Sequence, residues 1–115
     1  MIKQLKQYPK AIASVEEKLL KLNQEIAIQN QLISFLDADL EQEIASNKEL
    51  KNEQQRKTKR LELRQEPDYL QFLAALAEAT EKRDRAIIQL NLLRNQFSVA
   101  KLEMRQAIAQ MEAVA

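Results

Sequence analysis

Two apolar stripes dominate the chain, and each advances by alternating steps of three and four residues. The first is Leu5, Tyr8, Ile12, Val15, Leu19, Leu22, Ile26, Gln29, Ile33, Leu36 and Leu40. The second is Tyr69, Phe72, Leu76, Ala79, Arg83, Ala86, Leu90, Leu93, Phe97, Ala100, Met104, Ala107, Met111 and Val114. Gln29 and Arg83 are their only strongly polar members. A sustained mean spacing of about 3.5 residues places every one of these side chains on a narrow helical seam, and such a seam has to face another helix.

The composition leaves little room for another architecture. The 115 residues include no Gly, Cys, His or Trp. Sheets, tight turns and phosphate-cradling loops use Gly wherever the backbone needs positive φ, so a chain without it is expected to be helical with very few connections. Charged residues make up 30% and aromatics 4%, as in long helices. Eighteen Lys and Arg stand against seventeen Asp and Glu, so no global electrostatic pull toward nucleic acid or an anionic membrane is implied. Without Cys there are no disulfides and no thiolate metal sites. The first residues lack the apolar core of a signal peptide, and no run approaches the ~20 apolar residues of a membrane span. The expectation is a soluble, cytoplasmic protein.

Pro67 is the strongest punctuation, because a proline inside a helix costs about 3 kcal/mol and pushes the preceding residue out of helical geometry. The expected organisation is a single domain over 1–115. It has an N-terminal arm at 1–9 ending at Pro9, helix one over 10–65, a turn at 66–68, and helix two over 67–115. A connection this short makes the helices antiparallel neighbours. A turn there sets Leu61 against Phe72, Leu40 against Leu93 and Leu36 against Phe97. It also leaves the first dozen residues, with Leu5, Tyr8 and Ile12, lacking a partner. Ile28, Leu32 and Phe35 widen the apolar face of helix one, and Leu73, Thr80, Ile87 and Ile108 that of helix two. Faces this wide suit more than two helices. The fold class is therefore all-α: a long antiparallel helical hairpin (coiled coil) that dimerises into a four-helix bundle.

The helix-one seam turns polar at Asn47, Gln54 and Thr58, with Arg83 expected opposite, while Tyr69 to Ala77 is very apolar. The candidate protein-interaction residues are Leu5, Tyr8, Ile12, Ile28, Leu32, Phe35, Tyr69, Leu70, Phe72, Leu73 and Leu76. A basic cluster near the expected tip gathers Arg56, Lys57, Lys59, Arg60, Arg64, Lys82, Arg83 and Arg85, which could grip nucleic-acid phosphates. Acids interleave with these bases at helix-stabilising spacing, as in Glu53 to Lys57 and Glu78 to Lys82, which is the pattern of a solvated face. Asp37, Asp39, Glu41 and Glu43 form an acidic patch, but carboxylates on a straight helix do not wrap a cation. With no His, no Cys nucleophile and no Gly-rich loop, no catalytic residue, metal, cofactor or small-molecule substrate is expected. The expected function is a non-enzymatic structural or protein-interaction module acting as a homodimer. The alternative is a nucleic-acid-binding accessory protein that uses the basic tip.

Overall fold

A computed structural model describes residues 2–114, with the side chains of residues 2–4 outside the described set. Met1 and Ala115, the ends of the expected arm and of helix two, also lie outside the described residues. Three helices follow one another: α1 (Ile2–Ser46), α2 (Glu53–Arg64) and α3 (Pro67–Val114). No strand occurs among the described residues. The architecture is an all-α antiparallel helical hairpin, as the seam spacing implies.

The reversal lies at residues 47–52, not at 66–68. Asn47 donates its backbone N–H to the Ile44 carbonyl at 3.3 Å, and its own carbonyl accepts the Leu50 N–H at 3.3 Å. The Asn47 side-chain oxygen accepts the Glu49 N–H at 3.0 Å. Asn52 is extended, with φ −144° and ψ 168°, and caps α2 by accepting the Gln55 N–H at 2.8 Å. The Gln55 side chain reaches back to accept the Lys51 N–H at 2.7 Å. This is a variant of the capping box, in which side chains at the first and fourth positions satisfy orphan donors at a helix start. No described residue has positive φ. Asparagine side chains thus do here what glycine does in most turns.

Pro67 separates α2 from α3 without turning the chain back. It occupies the first helical position, where its missing N–H would have had no partner in any case. The Glu66 carbonyl accepts the Leu70 N–H at 3.1 Å, and the Glu66 N–H closes the end of α2 on the Leu63 carbonyl at 3.2 Å. Pro9 does not end an arm either: α1 runs through it as one 45-residue helix. Only the first turns of α1 precede Pro9, so the bond it cannot donate interrupts a short stretch of ladder.

The chain forms two compact units, Met1–Leu22 with Lys82–Ala115, and Asn23–Glu81. In the first unit, Val15, Leu22, Ala86 and Leu90 are buried together, with Ile12, Leu19 and Leu93 packed on them. Tyr8 stacks on Phe97 at 5.5 Å between ring centres. A turn at 66–68 would have put Leu36 against that phenylalanine, and Tyr8 and Ile12 would have had no partner. The shifted turn corrects both points. In the second unit, Leu40, Ile44 and Leu63 are buried with Leu50 against them, so Leu40 meets α2 and not Leu93. Leu61, expected to meet Phe72, is exposed. Gln54 and Thr58 lie on the exposed surface of α2, where the Thr58 hydroxyl donates to the Gln54 carbonyl at 3.0 Å.

The register brings Ala79 and Ala86 into the interior. Small residues let the two backbones approach, which is how a seam with large residues on one side closes. The Gln29 side-chain oxygen is buried with no hydrogen-bond partner.

Two stability measurements follow. Asn52→Ala removes the α2 cap and is expected to cost about 1 kcal/mol, read as a thermal midpoint lower by roughly 4–8 °C in far-UV circular dichroism. An unchanged midpoint would show that the reversal does not depend on this side chain. Gln29→Leu replaces an amide whose buried oxygen has no partner with an apolar group and is expected to raise stability by about 1 kcal/mol in urea denaturation.

Candidate functional site

The densest polar constellation joins all three helices around Asp37. From α2, Arg60 donates twice to Glu41 of α1, through Nε at 2.6 Å and Nη2 at 3.1 Å. One helical turn earlier in α1, Asp37 Oδ1 accepts the Tyr69 hydroxyl of α3 at 3.0 Å. The Arg64 Nε of α2 lies 3.7 Å from the same oxygen, within ion-pairing range but too far for a hydrogen bond. That Nε is buried without an acceptor. A planar guanidinium forked onto a carboxylate is the strongest geometry such pairs adopt.

The electrostatics follow from these contacts. The hydrogen bond from Arg60 holds the Glu41 carboxyl below the usual glutamate range, with the nearby charges of Arg60 and Arg64 adding to it against a smaller opposing effect of burial. Arg60 is held more firmly in its charged form by the same bond. Burial raises the Tyr69 phenol above the ordinary tyrosine value, and donation to Asp37 raises it further. The acidic patch is thereby divided. Asp37 and Glu41 belong to α2 and α3 partners, and Asp39 and Glu43 line a hollow of about 160 Å³ with Glu66, Asp68 and Tyr69. Among the described residues no group of acids is placed to hold a metal ion.

Acids lie beside several of the basic residues. Arg56, Lys57, Lys59, Arg60 and Arg64 belong to the unit at 23–81, whereas Lys82, Arg83 and Arg85 belong to the other. Arg56 sits 3.5 Å from Glu53 and Lys59 4.0 Å from Glu62. Arg83, expected to face the polar seam of helix one, instead pairs with its neighbour Asp84 at 3.1 Å. Lys82 and Arg85 are also engaged. Lys57 is exposed.

The apolar candidates separate into two groups. Leu5, Tyr8 and Ile12 are half-buried, with Tyr8 on Phe97 and Ile12 on the core. Tyr69, Phe72 and Leu76 are half-buried in the second unit, and Leu32 is too. Ile28, Phe35, Leu70 and Leu73 remain exposed. The structure adds exposed residues that were not singled out as candidates: Ile88, Leu92, Val99 and Leu102 on α3. Their four-and-three spacing was present in the sequence, on the side of α3 away from its main seam.

No described helix is long and apolar enough to cross a membrane. Comparison of this chain with protein-family models, curated proteins and solved structures gave no match.

The Glu41–Arg60 pair predicts a pH signature. A carboxyl whose folded pKa lies below its unfolded one stabilises the fold fully above the ordinary value of 4.5. That stabilisation is lost as pH falls through the depressed folded value. Glu41→Gln is therefore expected to be less stable than the parent near neutral pH. The gap should shrink as pH falls below 4.5, measured by urea denaturation across pH. A gap that is constant with pH would assign the loss to packing and not to charge.

Proposed function

We propose that this protein is a non-enzymatic structural and protein-interaction module, a coiled-coil hairpin that self-associates and presents helical faces to a partner. One observation carries the reading. The chain exposes 8962 Å², whereas a compact monomer of 13.4 kDa exposes about 6,500 Å². The surplus exceeds the roughly 800 Å² that each partner contributes to a standard protein–protein interface.

The distribution of apolar groups supports the same reading. Fourteen large hydrophobic residues are exposed, while eight residues, two of them alanines, make up the buried set among the described residues. A core that small stabilises a hairpin weakly, and association would add buried apolar area to it. The ion pairs of Arg56 with Glu53 and of Lys59 with Glu62 support a solvated role for the basic residues of α2 over the alternative of a nucleic-acid grip. We assign the protein to the cytoplasm, whose reducing conditions a cysteine-free chain suits.

Size exclusion coupled to light scattering, run across a dilution series, is expected to give twice the mass of one chain at micromolar concentration. A single-chain mass at every concentration would overturn self-association. The exposed faces would then require a different protein partner.

A further inference from the structure

We infer that α3 carries a second helix-pairing seam, and that its occupant is the α3 of a second copy running antiparallel. The inference rests on the self-association proposed above and specifies its surface and geometry. The seam is Ile88, Leu92, Asn95, Val99, Leu102 and Gln106, continued by Ala109 and Ala113. Its steps alternate four and three without a break. It therefore keeps to one side of the helix over roughly 38 Å. It lies opposite the seam that α1 covers, in which Ala86 and Leu90 are buried.

None of these side chains is used within the chain. Ile88 is 68% exposed, Leu92 54%, Val99 53% and Leu102 55%, and the remaining four positions are exposed as well. Isolated exposed leucines are ordinary on protein surfaces. Large apolar residues that keep heptad phase on a long helix, in a stripe broken by only two amides, are what a second long helix requires.

The pattern also selects the occupant, because the stripe is complementary to itself when reversed. Set antiparallel about a two-fold axis between residues 100 and 101, Ile88 meets Ala113 and Leu92 meets Ala109 of the second copy. Val99 meets Leu102, and Asn95 meets Gln106. Every apolar layer then combines a large residue with a small one or two of middle size, and the two amides fall opposite each other, where each can satisfy the other. The flanking positions bring Ser98 toward Arg105 and Gln96 toward Glu103, so no like charges oppose. A parallel in-register pair would stack alanine on alanine at 109 and 113 and forfeit those contacts. The antiparallel arrangement is isologous and closes on itself, as a two-fold dimer must. It places the two α3 helices inside and the α1 segments that cover them outside.

The absence of cysteine permits a direct test in the full chain. Leu92→Cys and Ala109→Cys are made as separate single variants, then mixed in equal amounts and oxidised mildly. Facing Cβ atoms within about 4.5 Å can form a disulfide, so the mixture is expected to yield 92-to-109 cross-links on the order of tenfold above those of either variant alone. Efficient linking of each variant to itself would indicate a parallel pair and overturn the proposal. A protein that is dimeric but forms no cross-link would also overturn it while leaving self-association standing. A monomeric parent would end both. Leu92→Glu combined with Val99→Glu is expected to weaken dimerisation by roughly 100-fold or more with helical content retained. Dimerisation of undiminished strength in that variant would place the interface elsewhere. If the variant loses its helices, the cross-linking result decides.

Discussion

Which residues meet across the hairpin is decided by the reversal at residues 47–52, because an antiparallel pair has no freedom of register once its turn is set. Two asparagines hold that reversal. Asn47 closes the end of α1 on Glu49, and Asn52 opens α2 on Gln55. Leu40 and Ile44 are then brought to Leu63, and Tyr8 is brought to Phe97. A displacement of the turn by one residue would rotate each side chain of one arm by about 100° relative to its neighbours. Small polar contacts at the turn therefore determine the placement of the larger apolar ones.

The helical state, the antiparallel pairing and the seam residues as far as Ala107 could be read from the sequence, because heptad spacing is a repeated signal to which each residue adds; Met111 and Val114, which continue the second stripe, are exposed. The position of the turn rested on single residues, and two breakers competed. Pro67 is the stronger one locally, yet at the first position of a helix proline costs almost nothing, so it punctuates without reversing. The true signal was Asn52 three residues before Gln55, a capping pattern in plain view. It stood within a polar stretch that reads equally as a weakened seam. The same displacement explains the arm. Tyr8 and Ile12 lack partners only if the reversal lies at Pro67.

The candidate site was legible as a composition of charges but not as an arrangement. Interleaved acids and bases along a helix suggest pairs within that helix, and Arg56 with Glu53 is one. The strongest contact instead crosses between helices, from Arg60 to Glu41, and it exists only because the turn lays α2 along α1. Asp37 receives both the Tyr69 hydroxyl and the approach of Arg64. Tyr69 belongs by its neighbours to an apolar segment, and its hydroxyl ties α3 to α1. Much of the local basic charge is thus matched within the fold. The exposed large hydrophobic residues are a part of the surface that these pairs leave unused.

That remainder is concentrated on α3, and its phase carries the functional argument. A helix with one apolar stripe is completed by a single neighbour, and α1 supplies that neighbour along the Ala86 and Leu90 side. Leu92, Val99 and Leu102 continue the same heptad rhythm half a turn away, facing solvent. Exposed apolar side chains scattered at random would drift around the helix within two or three turns. Holding one side for roughly seven turns is a constraint that water does not impose but a second helix does. Under the proposed self-association the thin core and the large exposed area have one physical origin: the α3 of a second copy covers the seam that the chain's own two arms leave exposed.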